Sequence, residues 1–211
     1  MTRKKFVRLS GRALILAAIV LVAGFGIASG ETNYDDPLGG VDRFYEFSQL
    51  ILIPTSLLLY TTGMIGLRVR YGEPSGWLGK TSLNIAAIGG GLSFLSAIPL
   101  YALIDEIWMG KWWYLIVYSM LVMLTGLSLF GVAALNTKPF SRWNGIPLLT
   151  AIWFPLVFVI GAIVKLFGGS TDGIENYMAP VALLFMFIGS IALGHILQTD
   201  LKPIDPTEAA I

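Results

Sequence analysis

Acid–base, metal and redox chemistry draw on histidine, cysteine and carboxylates, and this 211-residue sequence holds one His, no Cys and thirteen Asp and Glu. Without a thiol, disulfides, Cys-ligated metals, haem attachment through CxxCH and thiol redox chemistry are excluded. The lone His195 cannot supply bis-histidine haem ligation or a His-rich zinc site. Proton exchange is the one chemistry that an isolated imidazole supports, and interfacial helix packing is its plainer use.

The densest oxygen cluster is Glu31-Thr32-Asn33-Tyr34-Asp35-Asp36-Pro37-Leu38-Gly39-Gly40-Val41-Asp42. Asp35 and Asp36 are its candidate cation ligands, since Ca²⁺ takes oxygen donors at such density. The spacing lacks the Dx[DN]x[DN]G order of an EF-hand, and a solvated acidic loop accounts for it as well. A third candidate is the pair Glu46 and Lys165, which could line an anion or cation site if both reach the same bilayer leaflet. Snorkelling of each to the headgroups is the alternative. No GxSxG, HExxH, P-loop or dinucleotide fingerprint occurs. No catalytic residue, metal or cofactor is therefore expected.

The elements that must position these residues are apolar. The composition is 55% hydrophobic and 13% charged with a mean hydropathy of +0.75, against about 25% charged for an ordinary soluble domain. Six apolar blocks follow one another, at about residues 12–30, 46–67, 80–104, 112–135, 146–167 and 179–198. Each approaches the roughly 20 residues that cross a hydrocarbon core. Lipid leaves backbone groups no outside partner, so continuous blocks without strict alternation predict helices. The expected fold is all-α, a single transmembrane domain of six helices covering residues 1–211.

Charge sets an expected orientation. With the connections taken alternately, Arg3, Lys4, Lys5, Arg8, Arg12, Arg68, Arg70, Lys80, Lys138, Arg142 and Lys202 fall on one side, and Arg43, Lys111 and Lys165 on the other. Lys and Arg accumulate on the cytoplasmic side, so both termini are expected inside. The acids of the outer loops lean the opposite way. Aromatic residues, among them Trp77, Trp143, Trp112 and Trp113, sit at the block edges as interfacial belts do. The basic start followed by an apolar run to Ala28 also fits a signal peptide, with Ala28-Ser29-Gly30 as cleavage site; an uncleaved first span is the expectation. The net charge of +1 gives no reason to expect nucleic acid.

Glycines suggest repetition. Gly11, Gly79 and Gly145 open the odd blocks 68 and 66 positions apart, and Gly66, Gly131 and Gly194 close the even ones 65 and 63 apart. The last two pairs read Gly126-x4-Gly131 and Gly189-x4-Gly194. Three tandem hairpins in one orientation, parallel repeats, would produce this pattern. Pro54, Pro99 and Pro155 fall within blocks, where each removes a backbone donor; with Gly89-Gly90-Gly91 they mark sites of close packing or of an opened helix.

The stretch Pro139-Phe140-Ser141-Arg142-Trp143-Asn144-Gly145-Ile146-Pro147-Leu148-Leu149 resembles the inner hairpin junction of uncharacterised bacterial six-span membrane proteins. The resemblance implies a bacterial inner membrane and carries no activity.

Ionisable residues within a membrane are costly and mark function, and the middle of every block lacks them. The sequence thus points to a non-enzymatic bundle or partner subunit, associating with membrane lipid and with copies of itself or a larger membrane complex. A small transporter or channel for a neutral or lipophilic molecule is the first alternative, with polar lining expected near Asn84, Ser93, Ser96, Thr125 and Ser128. A lipid-modifying enzyme is the second.

Overall fold

Long apolar runs satisfy their backbone groups locally, and the computed structural model, which describes residues 2–29, 51–98 and 106–199, contains helices and no strand among those residues. In chain order they are α1 (Arg3–Ser29), α2 (Ile53–Tyr71), α3 (Gly76–Ala97), α4 (Glu106–Thr137), α5 (Ile146–Ala151), α6 (Trp153–Leu166) and α7 (Asp172–Thr199).

Several helices outrun the apolar blocks. α1 begins at Arg3, so Lys4, Lys5, Arg8 and Arg12 lie on its first turns, and α7 begins at Asp172. Hydropathy marks where apolar side chains stop, whereas a helix continues for as long as its own hydrogen bonds are satisfied. α1, α4 and α7 each hold a stretch long and apolar enough to cross a membrane: Arg3–Gly24, Tyr114–Thr137 and Pro180–Thr199, with mean hydropathies of 2.0, 2.1 and 2.1. These mark the chain as a membrane protein. α2 and α3 have 19 and 22 residues but are more polar, α2 through Arg68 and Arg70 and α3 through Lys80 and Asn84.

The prolines act at helix starts. Pro54 lies in the first turn of α2 and Pro147 in that of α5, where the missing N–H has no intrahelical duty. Pro155 is the third residue of α6 and divides the fifth block, because its ring cannot bond the carbonyl four residues back. Ile152 separates the two pieces, yet its N–H donates to Leu148 O (2.9 Å) and its carbonyl accepts from Leu156 N (3.1 Å), so the chain keeps its course. Pro180 stands inside α7. Pro99 lies outside the described residues.

The helices succeed one another around a closed ring. α1 packs on α2 and α7, α2 on α3, α3 on α4, α4 on α5, and both α5 and α6 on α7. Its interior is filled by Leu14, Leu57, Tyr60, Met64, Leu83, Met123, Leu127, Phe130 and Leu193, all fully buried. Large apolar side chains outside this core remain exposed, such as Leu16 and Ile19 on α1, Ile88, Leu92 and Leu95 on α3, and Leu184 and Ile188 on α7. α6 alone among the helices whose packing is described along their length has no buried residue.

Candidate functional site

Glycine sets how closely these helices meet. A methyl group placed on Gly126 of α4 would stand 2.5 Å from Ala86 N and 2.8 Å from Ser82 O of α3. One on Gly63 of α2 would overlap Leu14 of α1, and one on Gly189 of α7 would overlap Thr150 of α5. These three contacts, joining α1 to α2, α3 to α4 and α5 to α7, recur every 63 positions.

Five residues further on lie Arg68, Gly131 and Gly194, again 63 apart, and each meets the other flanking helix. Gly131 of α4 meets the backbone of Leu148 in α5, and Gly194 of α7 meets Gly11 of α1. Arg68 instead donates from Nε to Asn84 Oδ1 of α3 at 2.7 Å. Of the three junctions between these pairs, two therefore close backbone on backbone, and the third closes through a charged hydrogen bond.

That junction, around the turn 72–75, is the most polar constellation among the described residues. Arg68 Nη2 approaches Glu73 Oε1 at 3.8 Å, and Lys80 Nζ stands 2.7 Å from the same oxygen. Gly72 lacks the side chain that would collide with the Arg68 guanidinium: a methyl there would lie 2.5 Å from Nη1. Arg3 of α1 donates from Nη2 to Val69 O at 2.5 Å, so the first three helices are tied at one end. The Lys80 hydrogen bond, helped by the charges of Lys80, Arg68 and Arg3, holds the Glu73 carboxyl below the usual glutamate range. Three cations around one carboxylate leave excess positive charge, which suits a clasp or an anion contact and provides no general base.

The next junction round the ring, residues 138–145, is built on Phe140. Its ring is buried edge-on to Tyr71 (4.4 Å) and Phe130 (5.9 Å). Asn144 Oδ1 accepts the Phe140 N–H at 3.0 Å, and Asn144 Nδ2 donates to Phe140 O at 3.3 Å, closing the turn. Lys138 (φ 49°) and Trp143 (φ 66°) adopt left-handed backbone, uncommon without glycine. Trp143 and Trp77 are 72% and 79% exposed, as interfacial anchors are.

Inside the ring, Tyr60 Oη of α2 donates to Ser190 Oγ of α7 at 3.2 Å, both residues being buried. A buried tyrosine hydroxyl requires such a partner. Four more buried hydroxyls serve their own helices: Ser82 donates to Leu78 O, Ser93 to Gly89 O, Ser128 to Leu124 O and Thr150 to Ile146 O, at 2.6, 2.8, 2.8 and 2.7 Å. Ser93 and Ser128, expected as polar lining, are thus occupied by local bonds, and Asn84 is occupied by Arg68. Among the described residues two buried side-chain polar atoms have no hydrogen-bond partner, Ser75 Oγ and Trp153 Nε1.

Of the candidates named from sequence, Lys165 stands exposed in the last turn of α6 and His195 is exposed near the end of α7. Lys165 and His195 lie at opposite ends of the bundle and share no site. Glu46, Asp35 and Asp36 lie outside the described residues, as does any pairing of Glu46 with Lys165. Among the described residues no three His, Cys, Asp or Glu side chains group as a metal site would require. Tyr60 and Ser190 escaped notice because two hydroxyl residues 130 positions apart carry no common motif. A tyrosine in mid-helix beside Ser56 and Thr61 was the available signal.

Compared with protein-family models, curated proteins and solved structures, this chain matches none.

Proposed function

We propose that the chain crosses a bacterial inner membrane six times as three tandem hairpins, with both termini cytoplasmic, and serves as a non-enzymatic partner subunit or scaffold in a larger membrane complex. The observation that carries the reading is the distribution of charge: among the described residues, ionisable side chains stand near helix ends, while the helix middles meet through glycine contacts and locally bonded hydroxyls. Reaction centres and ion pathways within membranes need ionisable groups at depth. The 63-residue recurrence of Gly63, Gly126 and Gly189, each against its hairpin partner, supports duplication. The excess of Lys and Arg on α1, on either side of the 72–75 turn (Arg68, Arg70 and Lys80) and in the 138–145 connection (Lys138 and Arg142) supports the orientation.

The absence of native cysteine makes topology directly testable. Single substitutions Pro74→Cys, Ser141→Cys and Ser170→Cys, all at exposed positions and probed in intact cells with a membrane-impermeant maleimide, should label only at position 170. Labelling of positions 74 and 170 from the same side overturns the orientation. Gentle extraction followed by native electrophoresis should then show a particle larger than one chain and its detergent. A solitary chain in every mild detergent overturns the subunit reading.

A second reading, a carrier or channel for a small lipophilic molecule, is favoured by α6. It lacks buried residues, and at its start Trp153 stacks on Phe185 (4.9 Å) with its indole N–H unpartnered. A molecule bearing a carbonyl acceptor would satisfy that donor.

A further inference from the structure

The contact between α1 and α7 has an outer side that the reading above leaves unused. A methyl on Gly11 would lie 2.6 Å from Gly194 O, and one on Gly194 would lie 2.5 Å from Gly11 O, so the backbones touch. The start of α1 meets the end of α7 there, which makes the two helices antiparallel. Each residue advances about 100° around a helix, and in an antiparallel pair the residue after each contact position turns toward the same side. Those residues are Arg12 and His195, and both are exposed. Leu14 of α1 and Leu197 of α7, turned the other way, are buried at 0% and 1%. Arg8, one turn before Arg12 on the same exposed stripe, completes the group. Below it Gln198 packs against Gly11 and donates to Gly194 O at 3.2 Å, and Thr199 donates to His195 O at 2.9 Å.

We propose that this outward groove binds the phosphodiester headgroup of an anionic phospholipid in the inner leaflet, with Arg8 and Arg12 clamping the phosphate oxygens and His195 contacting the headgroup beside them. The inference rests on the membrane orientation proposed above.

Charge complementarity at a fixed depth favours this occupant. Arg12 immediately precedes the uninterrupted apolar run of α1, at the level where headgroups meet acyl chains, and an arginine there needs an anionic partner or water. Neither Arg8 nor Arg12 forms an ion pair with another described residue; the ion pairs among those residues engage Arg68, Glu73 and Lys80. A guanidinium presents paired donors that match phosphate oxygens. The glycine contact narrows the floor of the groove, and Leu16 and Ile19 continue the same exposed stripe of α1 into the apolar zone, where an acyl chain would lie.

The experiment measures retention of phosphatidylglycerol against phosphatidylcholine by the purified full chain, using native mass spectrometry. Arg12→Gln, Arg8→Gln and His195→Ala are compared with Arg142→Gln, an exposed cation elsewhere on the basic end. The expected result is preferential retention of phosphatidylglycerol, weakened about tenfold by Arg12→Gln, which is the loss of one charged hydrogen-bonded contact. Arg142→Gln should leave it unchanged, and excess inorganic phosphate should not displace the lipid. Equal losses from Arg12→Gln and Arg142→Gln would show a diffuse field and overturn the site. Displacement by inorganic phosphate would overturn the lipid assignment. Carbonate extraction of the same variants separates the two levels: a chain that stays in the membrane without lipid preference sinks this inference alone, and a chain that washes off sinks the membrane reading.

Discussion

Replacing Gly126 by alanine tests whether the bundle is held by backbone contact. The added methyl would stand 2.5 Å from Ala86 N and 2.8 Å from Ser82 O, well inside ordinary van der Waals separation. Both obstacles are backbone atoms of α3, which no rotamer change can move. α3 and α4 must separate by up to about 1 Å along much of their interface, an overpacking cost of ~1–3 kcal/mol. Alanine's better helix propensity offsets up to ~1 kcal/mol of it. Gly91, on the same α3, is the control: nothing lies within 4 Å of a methyl there, so Gly91→Ala should be neutral or stabilise by up to ~1 kcal/mol. Gly63→Ala should fall between them, because its obstacle is the Leu14 side chain, which can shift. Thermal unfolding in one detergent, followed by tryptophan fluorescence on matched preparations, reads the order. At about 2–4 °C per kcal/mol for a chain of this size, Gly126→Ala and Gly91→Ala should differ by several degrees. Equal midpoints, or a less stable Gly91→Ala, would refute the packing argument.

Removing the Tyr60 hydroxyl with Tyr60→Phe should cost ~0.5–1.5 kcal/mol, and its coupling to Ser190→Ala in a double-mutant cycle should be about 0.6 kcal/mol, the usual size in membrane helices; zero coupling would mean the bond does not form. Phe140→Ala empties a buried site between Tyr71 and Phe130 and should cost ~3–5 kcal/mol, checked by the same unfolding assay. Glu73 has a folded carboxyl held below its unfolded value, chiefly by the Lys80 hydrogen bond, so its contribution is present at neutral pH and lost as pH falls through the folded value. The stability difference between the wild type and Glu73→Gln should therefore vanish only in acid below the ordinary glutamate range; a difference that grows on acidification contradicts the assignment.

Helical class and the rough positions of the helices were legible in the sequence because apolar blocks have no other way to satisfy their backbone in lipid. Helix ends were less so. Arg3 to Arg12 lie on α1 although hydropathy excludes them, since long cationic side chains ride a continuing helix outward. Pro155 marks a break within the fifth block, but that the block divides at Ile152 follows only from the path of the backbone. The glycine spacing was visible, yet its most regular register, Gly63, Gly126 and Gly189, emerged only once each was seen against its partner helix. Chemistry was the least legible. Arg68 read as one more basic residue, and nothing in its neighbourhood announced Asn84, sixteen positions away, as its acceptor. His195 drew attention as the single histidine, whereas its surroundings depend on which face of α7 meets α1.

The contact of Gly11 with Gly194 also bears on the order of synthesis. α1 is made well before α7, so its face toward α7 must wait until the helices between them have emerged, and the ring stays open at that seam meanwhile. In the finished bundle the seam is an interface like those between α4 and α5, and the ends of α1 and α7 lie side by side. A circularly permuted chain, joined across that seam and opened within residues 72–75 or 138–145, should therefore assemble the same ring from a different starting helix. Opening it at 72–75 would also sever the clasp around Glu73, and that permutant should be the less stable of the two.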